Sequence, residues 1–259
     1  MTSSQIDIDF IISLVRKAGE EILKIYYQAF EVDYKSDNSP ITLADKNAHA
    51  ILVKALKGKY PSIPILSEEG EIAPYSERKH WQSFWLLDPL DGTKEFLKKN
   101  DEFTVNIALI ENGFPTFGVV YAPALNVLYY GLKETGSFKI DSTNRCLSIK
   151  SSSNYLDKKA VKIVGSRSHS DKQMTIFIEQ LEKQGKQVEL ATSGSSLKFC
   201  FVAEGSADIY PRFTPTMEWD TAAAHAVVVF AGKQVLQMNT QNSLVYNKEN
   251  LLNPSFIVY

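Results

Sequence analysis

The stretch Phe84-Trp-Leu-Leu-Asp88-Pro-Leu-Asp91-Gly-Thr93 carries an apolar run straight into two carboxylates. Four consecutive apolar residues read as a short buried strand. The proline between the acids fixes one backbone angle, and Gly92 permits a tight turn. Asp88 and Asp91 can then point to one side, with a backbone carbonyl between them and the Thr93 hydroxyl just beyond. Hard cations such as Mg²⁺ take all-oxygen ligand sets of this kind. Without a cation, carboxylates held this close repel, and some are forced to protonate. Asp-Pro and Asp-Gly are also ordinary turn pairs, so the segment alone leaves both readings open.

Two further acidic clusters share the same setting. Leu66-Ser-Glu68-Glu69-Gly70 follows an apolar run that begins at Ile63. Glu218-Trp-Asp220-Thr-Ala-Ala opens an almost wholly apolar run over 221–231, which reads as a buried helix. Taken singly, Glu68 reads equally as a solvated turn acid and Asp220 as a helix N-terminal acid. Linear spacing does not show whether the three clusters meet.

Around them the chain alternates between two patterns. Residues 5–30 repeat apolar side chains at three- and four-residue steps, predicting a helix, and 43–56 predict a second. Short strands are expected at 63–66 and 84–87, each ending at acidic residues. Residues 103–110, 116–121 and 127–132 read as successive strands separated by Asn112-Gly113 and Pro123, with a turn starting at Gly136. That meander predicts a mainly antiparallel sheet. The polar run Lys150-Ser-Ser-Ser-Asn154 marks a boundary. Beyond it come a strand (161–164), a helix (171–183), a strand (188–190), a helix (196–204) and a strand (208–210), an α/β pattern. No internal repeat or low-complexity segment is present.

The bulk numbers exclude several classes. The 259 residues suit one large or two closely packed domains, and 44% hydrophobic with 22% charged residues is ordinary for a globular chain. The net charge of −2 and the lack of like-charge runs argue against nucleic acid as a partner. Nothing approaches an integral membrane segment, and the N-terminal residues read as a capped helix rather than a signal peptide. The two cysteines, Cys146 and Cys200, have no ligand spacing and are expected as reduced thiols of a cytoplasmic protein. No GxxxxGK[ST] pattern supports a Walker-type hydrolase.

The motifs together resemble a known family. Asp88-Pro-Leu-Asp91-Gly92-Thr93 and Trp219-Asp220-Thr-Ala-Ala resemble the two signatures of the inositol monophosphatase superfamily, and Glu68 matches the first acid of its Glu-Glu pair. Within it, the continuation Lys94-Glu95-Phe96 is similar to that of bacterial CysQ-type 3'(2'),5'-bisphosphate nucleotidases. So are Gly165-Ser-Arg-Ser-His169, Gly194-Ser195-Ser196-Leu-Lys198, Tyr210-Pro-Arg212 and Pro215-Thr-Met-Glu-Trp219. Thr214 departs from the expected glycine.

The resemblance implies a layered α/β/α/β/α sandwich (class α/β, α+β) of the inositol monophosphatase and fructose-1,6-bisphosphatase type. Its subdomains would be 1–154, with the antiparallel sheet and most metal ligands, and 155–259, with the substrate loops. It implies two or three Mg²⁺ per active site and sensitivity to Li⁺. Glu68, Asp88 and the Leu90 carbonyl would hold one metal, and Asp88, Asp91 and Asp220 a second. Asp45 and Thr93, with Glu68, would act on the attacking water. Substrate contacts fall on Glu68, Leu90, Asp91, Gly92, Thr93, His169, Ser195, Lys198, Arg212 and Asp220. The implied reaction is hydrolysis of adenosine 3',5'-bisphosphate to AMP and phosphate by in-line attack of water, linked to sulfate assimilation. The alternative is an inositol monophosphatase-type sugar phosphate phosphatase; a non-catalytic binding relative would have no use for the full ligand set. The implied assembly is a monomer or homodimer, cytoplasmic or peripheral at the cytoplasmic side of the inner membrane.

Overall fold

A computed structural model describes residues 6–28, 32–34, 40–151, 154–166 and 172–259. His169 and the expected helix start at Asp171 lie outside them.

The first layer is a helical pair. α1 (Ile8–Tyr26) starts where the Asp7 carboxylate accepts from the Phe10 N–H at 3.0 Å, a side-chain N-cap. It buries one stripe from Ile11 to Tyr26. A short antiparallel pair, β1 (Val32–Tyr34) and β2 (Pro40–Thr42), leads into α2 (Leu43–Lys59). The α1/α2 layer packs on one face of a seven-stranded sheet.

That sheet comprises β3 (Ile65–Ser67), β4 (Ser83–Asp91), β5 (Thr104–Glu111), β6 (Phe114–Ala122), β7 (Val127–Leu132), β8 (Gly136–Ile140) and β9 (Cys146–Ile149), in that spatial order. β3 pairs parallel with β4, and every later pair is antiparallel. α3 (Tyr75–Arg78) joins β3 to β4, and α4 (Thr93–Leu97) follows β4. Three expectations change here. The strand expected over 84–87 does not stop at the acids but runs on to Asp91, with a register break between Asp88 and Asp91. Gly136 opens strand β8 rather than a turn alone, because the β7–β8 hairpin is tight. β9 was not expected, since its exposed residues lack an apolar alternation.

The second half supplies three further layers. α6 (Leu197–Glu204) and α7 (Trp219–Phe230) cover the other face of the seven-stranded sheet. Beyond them lie the parallel pair β10 (Ala160–Gly165) and β11 (Gln187–Thr192), and the antiparallel trio β12 (Tyr210–Arg212), β14 (Phe256–Val258) and β13 (Val235–Gln237). An Ile163–Ile209 bridge links the two groups. α5 (Lys172–Lys183) packs outside, over Val161, Ile163 and Ile257. The layers therefore run α/β/α/β/α.

One cross-strand row decides how closely α7 seats. Leu86, Ala108, Gly118, Gly131 and Ser137 are register partners across β4 to β8. A Cβ on Gly118 would lie 2.2 Å from the Ala223 carbonyl oxygen, and one on Gly131 2.8 Å from that of Ala226. Ser137 Oγ donates to the Val227 carbonyl at 2.7 Å. Small residues let helix backbone rest on sheet backbone, and α7 thereby delivers Asp220.

Candidate active site

The acidic clusters converge at the junction of both halves. Glu68 follows β3 and stays in the ladder through its N–H to the Leu87 carbonyl at 3.2 Å. Asp88 lies within β4 and is almost wholly buried. Asp220 stands in the first turn of α7, its carboxylate accepting from the Met217 N–H at 2.8 Å. One ligand oxygen from each of Glu68, Asp88 and Asp220 lies within 4.8 Å of the other two. Residues separated by 152 positions thus meet, because β3 and β4 pair and α7 crosses the sheet above them.

The turn after β4 holds its shape through local bonds. The Leu90 N–H donates to Asp88 Oδ1 at 3.1 Å, and the Thr93 hydroxyl to the Leu90 carbonyl at 3.4 Å. Gly92 has φ 91°, the left-handed region, with the Glu102 carbonyl 3.2 Å from where a Cβ would stand. A side chain there is both strained and crowded. Asp91 accepts from the Ser196 N–H at 2.5 Å. Asp45, in the first turn of α2, is buried and close enough for its charge to act on Asp88.

The electrostatics call for a cation. Burial raises Asp88 well above the usual carboxylate range, and the charges of Glu68, Asp91, Asp220 and Asp45 raise it further. Burial also raises Asp91, opposed by Lys198 and the Ser196 N–H. Burial, then Asp91, push Asp220 up to about 8. Buried carboxylates in contact pay this cost unless positive charge is supplied. The donors are oxygens alone, which suits a hard divalent ion.

Beside the acids opens a recess with cationic walls. Asp91, Asp220, Ser195, Lys198, Arg212 and Lys94 all line it. Lys198, in the first turn of α6, is buried rather than a solvated helix residue. Its Nζ donates to the carbonyls of Ser195 at 2.6 Å and Ser193 at 3.3 Å. Burial pulls it down to about 8, with Asp91 opposing. Ser195 has φ 48°, strained for a residue with a side chain. Arg212 donates to the Thr214 carbonyl at 3.1 Å, so the loop that departs from the family pattern still closes on it. Tyr210 packs on Phe199 and Phe256 and also lines the recess.

Every expected site residue except His169 is described. The cluster unites Glu68, Asp88 and Asp220, with Asp91 and Asp45 coupled to it by charge; the recess unites Asp91, Asp220, Ser195, Lys198 and Arg212. Lys94 and Glu95, which continue the Asp88–Thr93 motif, also face the recess. Their adjacency to Thr93 was the available signal.

Comparison with known proteins follows the same outline. The family model described as inositol monophosphatase family matches residues 5–256. The chain is 45% identical over 250 residues to the 3'(2'),5'-bisphosphate nucleotidase CysQ of Salmonella typhimurium, covering 96% of this chain and 97% of that protein. It is 43% identical over 253 residues to the protein of the same name from Escherichia coli, covering 97% and 98%. A crystal structure of CysQ from Bacteroides thetaiotaomicron superposes with a TM-score of 0.86 at 42% identity, covering 98% of this chain and 97% of that one.

Proposed function

The chain belongs to the inositol monophosphatase family, and from that premise we propose that it is a metal-dependent phosphatase hydrolysing adenosine 3',5'-bisphosphate to AMP and phosphate. The observation that carries this reading is the meeting of Glu68, Asp88 and Asp220 beside a recess walled by Lys198 and Arg212. One wall suits a metal, and the other suits an additional phosphate. A substrate with two phosphates uses both.

We assign Mg²⁺ to the carboxylates, with two or three ions per site. Glu68, Asp88 and the Leu90 carbonyl would hold one, and Asp88, Asp91 and Asp220 another. Bound Mg²⁺ supplies charge neutralisation for the transferred phosphoryl group and lowers the pKa of the attacking water. The chain's own groups do the rest. The Thr93 hydroxyl spends its proton on the Leu90 carbonyl, so its lone pairs can accept from the water. Asp45, with Glu68, takes the water's remaining proton contact. Lys198 and Arg212 hold the phosphate that is not cleaved, through charge-assisted hydrogen bonds, and an anion at Lys198 restores the protonation that burial opposes. Ser195 and Gly92 meet the substrate through a close-lying backbone, and His169 is assigned to the nucleotide. Positioning and charge supply the rate, with no side chain acting as nucleophile. The subdomain division near residue 154 is part of this proposal: metal ligands come mostly from one side and phosphate-binding cations from the other.

The test is phosphate release from adenosine 3',5'-bisphosphate and from inositol 1-phosphate, side by side, with and without Mg²⁺ and with added Li⁺. The reading requires Mg²⁺-dependent release, inhibited by Li⁺, that is faster on the bisphosphate. Faster release from the inositol ester overturns the substrate assignment. No described helix is long and apolar enough to cross a membrane.

A further inference from the structure

Behind Asp91 lies a closed ring of hydrogen bonds among three side chains that do not line the recess. Asp88 and Asp91 on β4 have Asn106 and Thr104 as their register partners on β5. Ser196 Oγ donates to Asn106 Oδ1 at 2.9 Å. Asn106 Nδ2 donates to Thr104 Oγ1 at 3.3 Å. Thr104 Oγ1 lies 2.8 Å from Ser196 Oγ and closes the circuit. Running in one sense, each group gives one proton and accepts one. All three side chains are buried, at 0%, 1% and 2% exposure for Thr104, Asn106 and Ser196. Buried polar groups cost free energy unless satisfied, and an apolar trio would fill the space without that risk. What the ring contributes is therefore geometry.

Ser196 is the joint. Its side chain closes the ring while its backbone N–H donates to Asp91. The residue before it, Ser195, holds φ at 48°. A strained conformation persists only where its surroundings over-determine it. Here the Lys198 ammonium grips the Ser195 carbonyl on one side, and the ring grips Ser196 on the other.

We propose that Thr104, Asn106 and Ser196 form a positioning device that locks the strand pair bearing Asp88 and Asp91 to the helix bearing Lys198. It orients the Asp91 carboxylate for its metal and fixes the spacing between the metal wall and the phosphate wall. None of the three lines the recess or belongs to the carboxylate cluster. The inference rests on the metal assignment of the preceding section.

Thr104→Val keeps the shape of the side chain but removes the hydroxyl, leaving Ser196 Oγ and Asn106 Nδ2 each one partner short. Thr104→Ser keeps the ring. Mg²⁺ affinity is measured by calorimetry on protein without substrate, and kcat and KM by phosphate release. Loss of a group that orients a ligand costs roughly 10–100-fold in metal affinity or activity. Thr104→Val is expected to lose that much in both Mg²⁺ affinity and kcat, with KM for the bisphosphate changing less. Thr104→Ser is expected to behave as wild type. Ser196→Ala, which retains the backbone N–H, should match Thr104→Val and serves if the valine variant fails to fold. Ring-breaking variants with wild-type Mg²⁺ affinity and kcat overturn the inference, as does a serine variant as impaired as the valine one. If wild type itself neither binds Mg²⁺ nor releases phosphate, the functional reading fails and takes this inference with it.

Discussion

Replacing Gly118 by alanine tests how the fold builds the site. The added Cβ would stand 2.2 Å from the Ala223 carbonyl oxygen, 2.8 Å from its carbon and 2.9 Å from its Cα. All three are backbone atoms of α7, so no side chain can swing aside. Ordinary contact for a Cβ begins at 3.4 Å, so helix and strand must part by about 1 Å. Overpacking of this sort costs roughly 1–3 kcal/mol. The helix moves as a rigid body, and Asp220 lies one turn from the clash. A displacement of about 1 Å at a positioned group costs roughly 10²-fold in rate. Gly118→Ala is therefore expected to lower the urea midpoint and to cut Mg²⁺-dependent kcat by about 10²-fold. Gly131→Ala, whose nearest approach is 2.8 Å, should show a smaller loss in both. A Gly118→Ala protein with wild-type midpoint and turnover would refute the argument that α7 is seated through this row.

Other outcomes follow from the same geometry. Asp88→Asn is expected to abolish activity while the fold persists; without metal the variant should melt above wild type at neutral pH, because folding no longer has to protonate or bury a carboxyl that burial, then Glu68 and Asp91, raise above its unfolded range, and added Mg²⁺ should raise its melting temperature less. Turnover retained in that variant sinks the metal assignment. Lys198→Met should raise KM for adenosine 3',5'-bisphosphate far more than for a nucleoside 3'-monophosphate, and equal effects would remove the lysine from the uncleaved phosphate. Burial lowers His225 to about 3 from 6.5, so the unfolded chain gains a proton that the folded one refuses. Stability should then fall by up to about 1.4 kcal/mol per pH unit on acidification below roughly 6.5. His225→Gln, which can still bond the Tyr246 hydroxyl now 2.8 Å away, should flatten that slope; an unchanged slope refutes the attribution. Gly58→Ala, in α2 with nothing within 4 Å of the new methyl, should stabilise by roughly 0.5–1 kcal/mol in a urea melt.

The sequence was most informative where a residue's own neighbours dictate its structure. The stripe of α1 was legible from periodicity, the meander from Thr104 to Leu132 from its apolar runs and turn residues, and α7 from an almost unbroken apolar run. Elements whose partners decide for them were not. β1, β2, β13 and β14 are three residues each and exist because a neighbouring strand offers an edge. The same holds for Gly118 and Gly131. A glycine inside a strand hints at close backbone approach, yet only the register shows that both stand in one row beneath one helix.

The site divides in a similar way. Its acids were legible because charge at the end of an apolar run is conspicuous, and because three such clusters kept a recognisable order. Their convergence was implied by the family resemblance but not by spacing, since it depends on β3 pairing parallel with β4 while α7 crosses the sheet. Lys198 shows why the difference matters. In the sequence it is a lysine in an apolar helical run, equally a solvated residue. In the fold it is buried against the carbonyls of Ser193 and Ser195, with Asp91 near enough to favour its charge. A buried ammonium beside buried carboxylates is costly on each side when considered alone. Together, a metal on the acids and a phosphate on the lysine would satisfy both, and a molecule carrying two phosphates joins the two sites in one binding event. The arrangement of charges therefore favours a bisphosphate over a monophosphate before any contact to the base is considered.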